Sequence, residues 1–299
     1  MAKARDPRLT PARPDVAASF LRGEVTADRF DPGTPRQVVL GVAPVRRVPE
    51  ATGPQETQLL FGEIFTVYDE ADGWAWGQSE QDKYVGYVET DALSEDIDQP
   101  DHALSALRAY WFSKPDLKSA PYEILSLNAK LTVLHEEGDY VALSRGGFVW
   151  KGAVRPLDHF VDTDPVAVAE TFLHTPYFWG GKESLGLDCS GLLQNAYEAI
   201  GLAIPRDADQ QEAHFSDPAR GYPLWSDDRG GRWQDLDLQR GDLMFWPGHT
   251  GMMVDDTNLI HANATRMATS IDDVREISAR WAEDKQLLLR RIIRPIRGL

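Results

Sequence analysis

From Gln37 to Leu157 the chain is written in short β-type runs broken by turns, and helical periodicity takes over only after Asp162. This change of period predicts small antiparallel modules first and a mixed domain second. The runs QVVLGVAPVR, TQLLFGEIFTVYDE, GWAWGQ and KYVGYVE fill residues 37–89, and ALSALRAYWF, EILSLNAKLTVLHEE, DYVALS and GGFVWKGAVRPL fill residues 103–157. The two sets form a weak repeat. Thr66-Val67-Tyr68 followed by Gly73-Trp74 parallels Thr132-Val133-Leu134 followed by Asp139-Tyr140, and Gly86-Tyr87-Val88 parallels Gly147-Phe148-Val149. Two consecutive all-β barrels of about 60 residues each fit this text, at residues 35–97 and 98–160. Residues 1–34, rich in Pro, Arg, Asp and Ala, read as an arm with one short helix around Pro14 to Leu21.

Residues 161–299 change to mixed α/β text. Asp164-Pro165 opens a short helix running to about Leu173, with Pro in its first turn. From Gly191, the apolar residues Leu192, Leu193, Ala196, Tyr197 and Ile200 recur at helical spacing and Gly201 supplies the stop, so Cys189 lies at a helix start. Strands follow at GDLMFW, TGMMVDD and NLIHANA, and LLLRRIIRPI closes the chain. The fold class is α+β.

Composition narrows the partners. With 42% apolar and 26% charged residues the chain has the make-up of a soluble globular protein. Its single cysteine allows no internal disulfide, so packing alone must hold it together. The formal charge of −16 disfavours nucleic acid and anionic membranes, while small or cationic partners remain open. The first 25 residues carry no apolar run of signal-peptide length, nothing elsewhere approaches a membrane span, and a cytoplasmic location is the expectation.

The chemistry centres on Cys189. A helix N-terminus or a nearby imidazolium lowers a thiol from about 8.5 into the range of roughly 3.5 to 7.5. Asp188 sits in the cap position, and the backbone N–H groups of the first turn are candidates for holding an oxyanion. His249, in the tight Trp-Pro-Gly-His-Thr-Gly turn, is the candidate base, and His261, on the next strand, the candidate orienter. A lone cysteine is more often a small buried hydrophobe, and spacing alone leaves both readings open. His102, His135, His159, His174 and His214 have no comparable setting. No HExxH, CxxC, Walker-type or GxGxxG text occurs, so neither a metal nor another cofactor is expected.

The text TPYFWGGKESLGLDCSGLLQNAYEAIG, then IPRDADQQ, then LQRGDLMFWPGHTGMMVDDTNLIHANA resembles the NlpC-type family of papain-like bacterial cysteine peptidases. The resemblance implies a papain-like core preceded by two SH3-like barrels, with Cys189 as nucleophile, His249 as base and His261 as orienter. It further implies the subgroup that recycles cell-wall peptides. That subgroup cleaves the γ-D-glutamyl–diamino acid bond of short stem peptides whose free L-Ala amine is gripped with the help of the first barrel. Carried over residue by residue, substrate contacts fall on Trp179, Asp188, Ser190 and Asp207 in the catalytic domain and on Glu63 and Tyr84 in the barrel. The last two read equally well as a surface acid and a core aromatic. Ala208 departs from the serine that often follows the Arg-Asp pair, which bears on fine specificity. The rival readings are a non-catalytic wall-peptide binding module and an exported hydrolase of polymeric peptidoglycan.

Overall fold

The computed structural model describes residues 5–161, 163–228 and 231–296. The chain divides into two compact units after His159.

In the first unit the arm is extended where a helix is expected. Val16–Ala18 forms a strand paired in parallel with Arg29–Asp31, followed by a single 3-10 turn at Ser19–Leu21. The reason is burial. Val16, Ala17 and Ala18 are all fully enclosed, Val16, Ala18 and Leu21 pack with Tyr68 and Trp76, and Ala18 N–H donates to Pro11 O at 2.9 Å. Three consecutive buried residues with outside backbone partners suit an extended chain better than an exposed helix.

Behind the arm comes a seven-stranded antiparallel sheet running from Thr34–Val38 to Leu93–Ser94. Val38, Val45, Leu59, Phe65 and Val88 line its core. A second antiparallel module follows, with a five-stranded and a three-stranded sheet around Leu104, Leu125, Leu131 and Val149. The repeat in the text is a repeat in structure. Asp72-Gly73 and Gly138-Asp139 make two-residue hairpin turns at equivalent places, with positive φ at Asp72, Gly73 and Gly138. Strands Val85–Glu89 and Phe148–Trp150 each lead through a 3-10 turn into a short closing strand. Phe61 belongs by sequence to the first module but packs in the second core, edge-on to Trp111 at 5.1 Å. The next residue must be glycine: Gly62 has φ +81°, and a Cβ there would lie 2.1 Å from Lys130 O.

The second unit is α+β. Its helices are α1 (Pro165–Glu170), α2 (Cys189–Ala199), α3 (Ala208–Phe215) and α4 (Val274–Lys285). Its sheet contains β1 (Gly221–Ser226), β2 (Leu243–Trp246), β3 (His249–Met253), β4 (Asn258–Asn263), β5 (Ala268–Asp273) and β6 (Arg291–Pro295). The order across the sheet is β1-β6-β2-β3-β4-β5, antiparallel throughout. Helix α1 ends at Glu170, three residues short of the expected end, and the chain turns through His174 at φ +68°. Helix α2 begins at Cys189 and is buried on every side, although its sequence has only one apolar face. Its side-chain amides donate inside: Asn195 to Lys182 O and Gly191 O, and Gln194 to Ile204 O. Trp246, Met253 and Leu259 of the sheet pack with Val274, Ile277 and Trp281 of α4.

Candidate active site

A two-strand hairpin, Lys182–Glu183 with Gly186–Leu187, delivers the chain to Asp188, the N-cap of α2. Both carboxylate oxygens of Asp188 are engaged. Oδ1 accepts from Gly191 N–H at 2.8 Å and Ser190 Oγ at 3.2 Å, and Oδ2 accepts from Gly180 N–H at 2.9 Å. Arg206, with no exposed surface, donates to both oxygens at 2.9 Å, to Ser190 Oγ at 2.9 Å and to Gly181 O at 3.1 Å. Gln211 of α3 donates to Ser190 O at 2.9 Å. These bonds join three segments of chain into one fixed turn around Cys189.

Cys189 is buried, and its sulfur accepts from the backbone N–H groups of Ser190 and Thr250. The second donor is the residue after His249, which ties the start of β3 to the start of α2. Burial, and next the Asp188 carboxylate, push the thiol up to about 12. That direction is opposite to the lowered value expected from the helix start. Removal from water and a neighbouring negative charge outweigh the two N–H groups. The resting thiol therefore keeps its proton at neutral pH, and a nucleophile forms only if a base takes it.

His249, the candidate base, is placed by a hairpin. Trp246 pairs with His249 across Pro247-Gly248, with Gly248 at φ +71°, the Pro-then-Gly pattern of a type II turn. His249 is thus the first residue of β3. Strand register sets His249, His261, Ser270 and Asp272 on one face of β3, β4 and β5. His249 Nε2 lies 2.9 Å from His261 Nδ1, and His261 Nε2 lies 3.3 Å from Asp272 Oδ2. The indole of Trp281 stands edge-on to His249 at 4.9 Å and tilted against His261 at 5.5 Å, so one α4 side chain packs on both rings. Burial holds His261 below its ordinary value despite the opposing pull of Asp272, so the ring is neutral at physiological pH. The hydrogen bond from His261 is the main cause that holds Asp272 well below the usual carboxylate range.

A buried thiol at a helix start and a paired histidine on the adjoining strand suit acyl transfer. The comparisons with known proteins agree. Residues 174–286 match the NlpC/P60 family, and residues 45–93 match the bacterial dipeptidyl-peptidase SH3 domain. Residues 174–286 form an NlpC/P60 domain. Over 129 residues, 42% of this chain and 42% of the relative, it is 33% identical to dipeptidyl-peptidase 6 of Lysinibacillus sphaericus, so the match spans less than half of that relative's length. Over 240 residues, 72% of this chain and 75% of the relative, it is 26% identical to γ-D-glutamyl-L-lysine dipeptidyl-peptidase of Bacillus subtilis. The fold resembles that of an NlpC/P60 family protein from Bacillus cereus, with a TM-score of 0.67 and 19% identity over 88% of this chain and 100% of that one.

Within the NlpC/P60 domain the remaining sequence-derived candidates belong to or adjoin the turn that Asp188 and Arg206 hold, Trp179 preceding Gly180 and Asp207 following Arg206. Trp179 is 65% exposed on the loop before the hairpin. Asp207 caps α3 in a capping box with Gln210, whose Oε1 accepts from Asp207 N–H at 3.3 Å, and Ala208 opens that helix. Asp188 and Ser190 are tied to Arg206. In the first unit, the carboxylate of Glu63 is buried and accepts from Leu60 N–H at 3.2 Å, whereas Tyr84 donates to Glu56 Oε2 at 3.4 Å. Glu56 also pairs with Arg47 at 2.5 Å, beside a cavity of about 460 Å³ that Tyr84, Arg8 and Arg13 help to line.

Five groups escaped the sequence reading: Arg206, the Thr250 N–H, Asp272, Glu56 and Tyr177. Burial, followed by the charges of Cys189 and Asp188, holds the Tyr177 phenol above its ordinary range, so its O–H keeps its proton near Cys189. Tyr177 and Arg206 both lie in the quoted motif text, where they could have been found. Nothing in the sequence marks Glu56 as the partner of Tyr84. Among the described residues no group of three or more His, Cys, Asp or Glu side chains is placed to share a metal, and no helix is long and apolar enough to cross a membrane.

Proposed function

We propose that this protein is a cytoplasmic endopeptidase that hydrolyses the amide between the γ-carboxyl of D-glutamate and a diamino acid in short wall-derived peptides bearing a free N-terminal L-alanine. The observation that carries the peptide chemistry is the coupling of the Cys189 helix start to His249 and His261. The γ-D-glutamyl specificity draws its support from the Bacillus subtilis relative, whose name is that of a γ-D-glutamyl-L-lysine dipeptidyl-peptidase.

In this reading His249 takes the thiol proton at Nδ1 as the sulfur attacks the γ-carbonyl carbon. The resulting oxyanion is held by backbone N–H groups of the first turn of α2 and by the O–H of Tyr177. Collapse breaks the C–N bond, with His249 giving its proton to the leaving amine. A water then loses a proton to His249, adds to the thioester, and the thiolate departs and is reprotonated. A substrate ammonium needs buried acceptors to repay its desolvation. Turnover of L-Ala-γ-D-Glu-diaminopimelate and of its N-acetylated form by wild type and Cys189→Ala tests this. The expected result is cleavage of the free amine alone, and only by wild type. Equal rates on the two peptides sink the amine requirement, and no cleavage of either sinks the assigned bond. Activity confined to polymeric peptidoglycan favours an exported hydrolase, and function undiminished in Cys189→Ala favours a binding module.

A further inference from the structure

The hydrogen-bond chain that starts at His249 does not end at His261. It runs on to Asp272, the next-to-last residue of β5, whose Oδ2 faces His261 Nε2 at 3.3 Å. Asp272 is itself held from two further directions. Ser270 Oγ donates to Oδ2 at 2.6 Å, and Arg266, on the turn between β4 and β5, donates to Oδ1 at 2.8 Å. Ser270 in turn accepts from Asn263 Nδ2 at 2.8 Å. Asp272 and His261 are only 9% and 1% exposed, so water competes little for either.

An ionised carboxylate can only accept hydrogen bonds. Its contact with His261 therefore requires a proton on His261 Nε2, and a neutral His261 must then have a bare Nδ1. The bare Nδ1 accepts from His249 Nε2–H, which leaves the neutral His249 with its lone pair on Nδ1. One acceptor at the end of the chain thus decides where two protons sit.

We propose that Asp272 is a positioning residue that, acting through His261, fixes the tautomer of His249 so that Nδ1 can receive the Cys189 proton. The proposal rests on the reading of Cys189 and His249 as nucleophile and base. Asp272 touches neither substrate nor sulfur in this scheme. When His249 becomes an imidazolium, the same chain sets the Asp272 charge to stabilise it across one neutral ring.

The direct test is nitrogen–proton correlation spectroscopy on wild-type protein labelled at histidine. The expected spectrum shows Nε2–H on both His249 and His261, and Nδ1–H on either overturns the proposal without any variant having to fold. The second test is the pH profile of Cys189 alkylation by iodoacetamide, which needs no peptide substrate. In Asp272→Asn the amide can donate to His261 Nε2, reverse both tautomers and put a proton on His249 Nδ1. Alkylation at neutral pH should fall by about 100-fold or more, with partial recovery in Asp272→Glu. In a His261→Ala background, Asp272→Asn should add less than about a twofold loss, because coupled residues are not additive. A wild-type profile in Asp272→Asn, or a full additional loss in the His261→Ala background, overturns the proposal. Failure of wild type to cleave the γ-D-glutamyl peptide would count against that substrate alone, because tautomers and alkylation are read without it.

Discussion

Asp188 and Asp272 are both buried aspartates of the NlpC/P60 domain, each paired with an arginine and each one step from a residue of the proposed chemistry. Asp188 meets Arg206, which has no exposed surface and spends both terminal nitrogens on it. Asp272 meets Arg266, whose side chain is 57% exposed and reaches Oδ1, while Oδ2 faces His261. The first carboxylate is consumed in building a turn. The second keeps an oxygen for a titratable neighbour. Similar composition thus serves rigidity at one end of the site and proton placement at the other, and the burial of the arginine makes the difference.

The largest expected effect lies on the Asp188 side. Arg206→Leu leaves the carboxylate enclosed without its cation and should cost about 3–5 kcal/mol, read from denaturant midpoints. Adding Asp188→Leu should restore part of that stability without restoring activity, because the cap on Gly191 is also lost. Arg266→Leu should shift the midpoint far less, and equal shifts in the two arginine variants would erase the contrast.

Alkaline pH probes the thiol beside Asp188. Its folded value, about 12, lies above the ordinary 9, so the unfolded chain ionises first and stability is lost as pH rises between the two. Unfolding across that window should weaken wild type more than Cys189→Ala.

Acid probes the other side. His261 is held below its ordinary 6.5, so the unfolded chain binds the proton first and stability declines as pH falls below that point. Asp272 is also lowered, so its contribution is full above 3.8 and is lost as pH falls further. Denaturation series from pH 7 to pH 5 should show a smaller loss in His261→Gln than in wild type, and equal slopes would remove His261 as the cause. The smallest expected change is Ser270→Ala, about 1 kcal/mol for one hydrogen bond to a charged group that keeps other partners.

Much of this was legible beforehand. The β-type runs carry both antiparallel modules, down to equivalent hairpin turns at Asp72-Gly73 and Gly138-Asp139, because turn chemistry is local. The helix start at Cys189 and the strand carrying His249 were readable for the same reason. The arm misled because Val16–Ala18 is extended by burial with Tyr68 and Trp76, residues fifty or more positions away. Helix α2 shows one apolar face in sequence but is buried on every side in the fold, where polar side chains such as Asn195 find partners on other segments.

What the sequence by itself determined is the order of modules, the identity of the thiol and its two histidines, and the turns that set each at an element's edge. Tertiary structure decided what each group is worth. It buried the thiol beside Asp188, enclosed Arg206 against that carboxylate, set Glu56 against Tyr84, and aligned β4 with β5 so that Asp272 meets His261. Turns and caps depend on residues a few positions apart, whereas burial and pairing depend on which distant residues exclude water together.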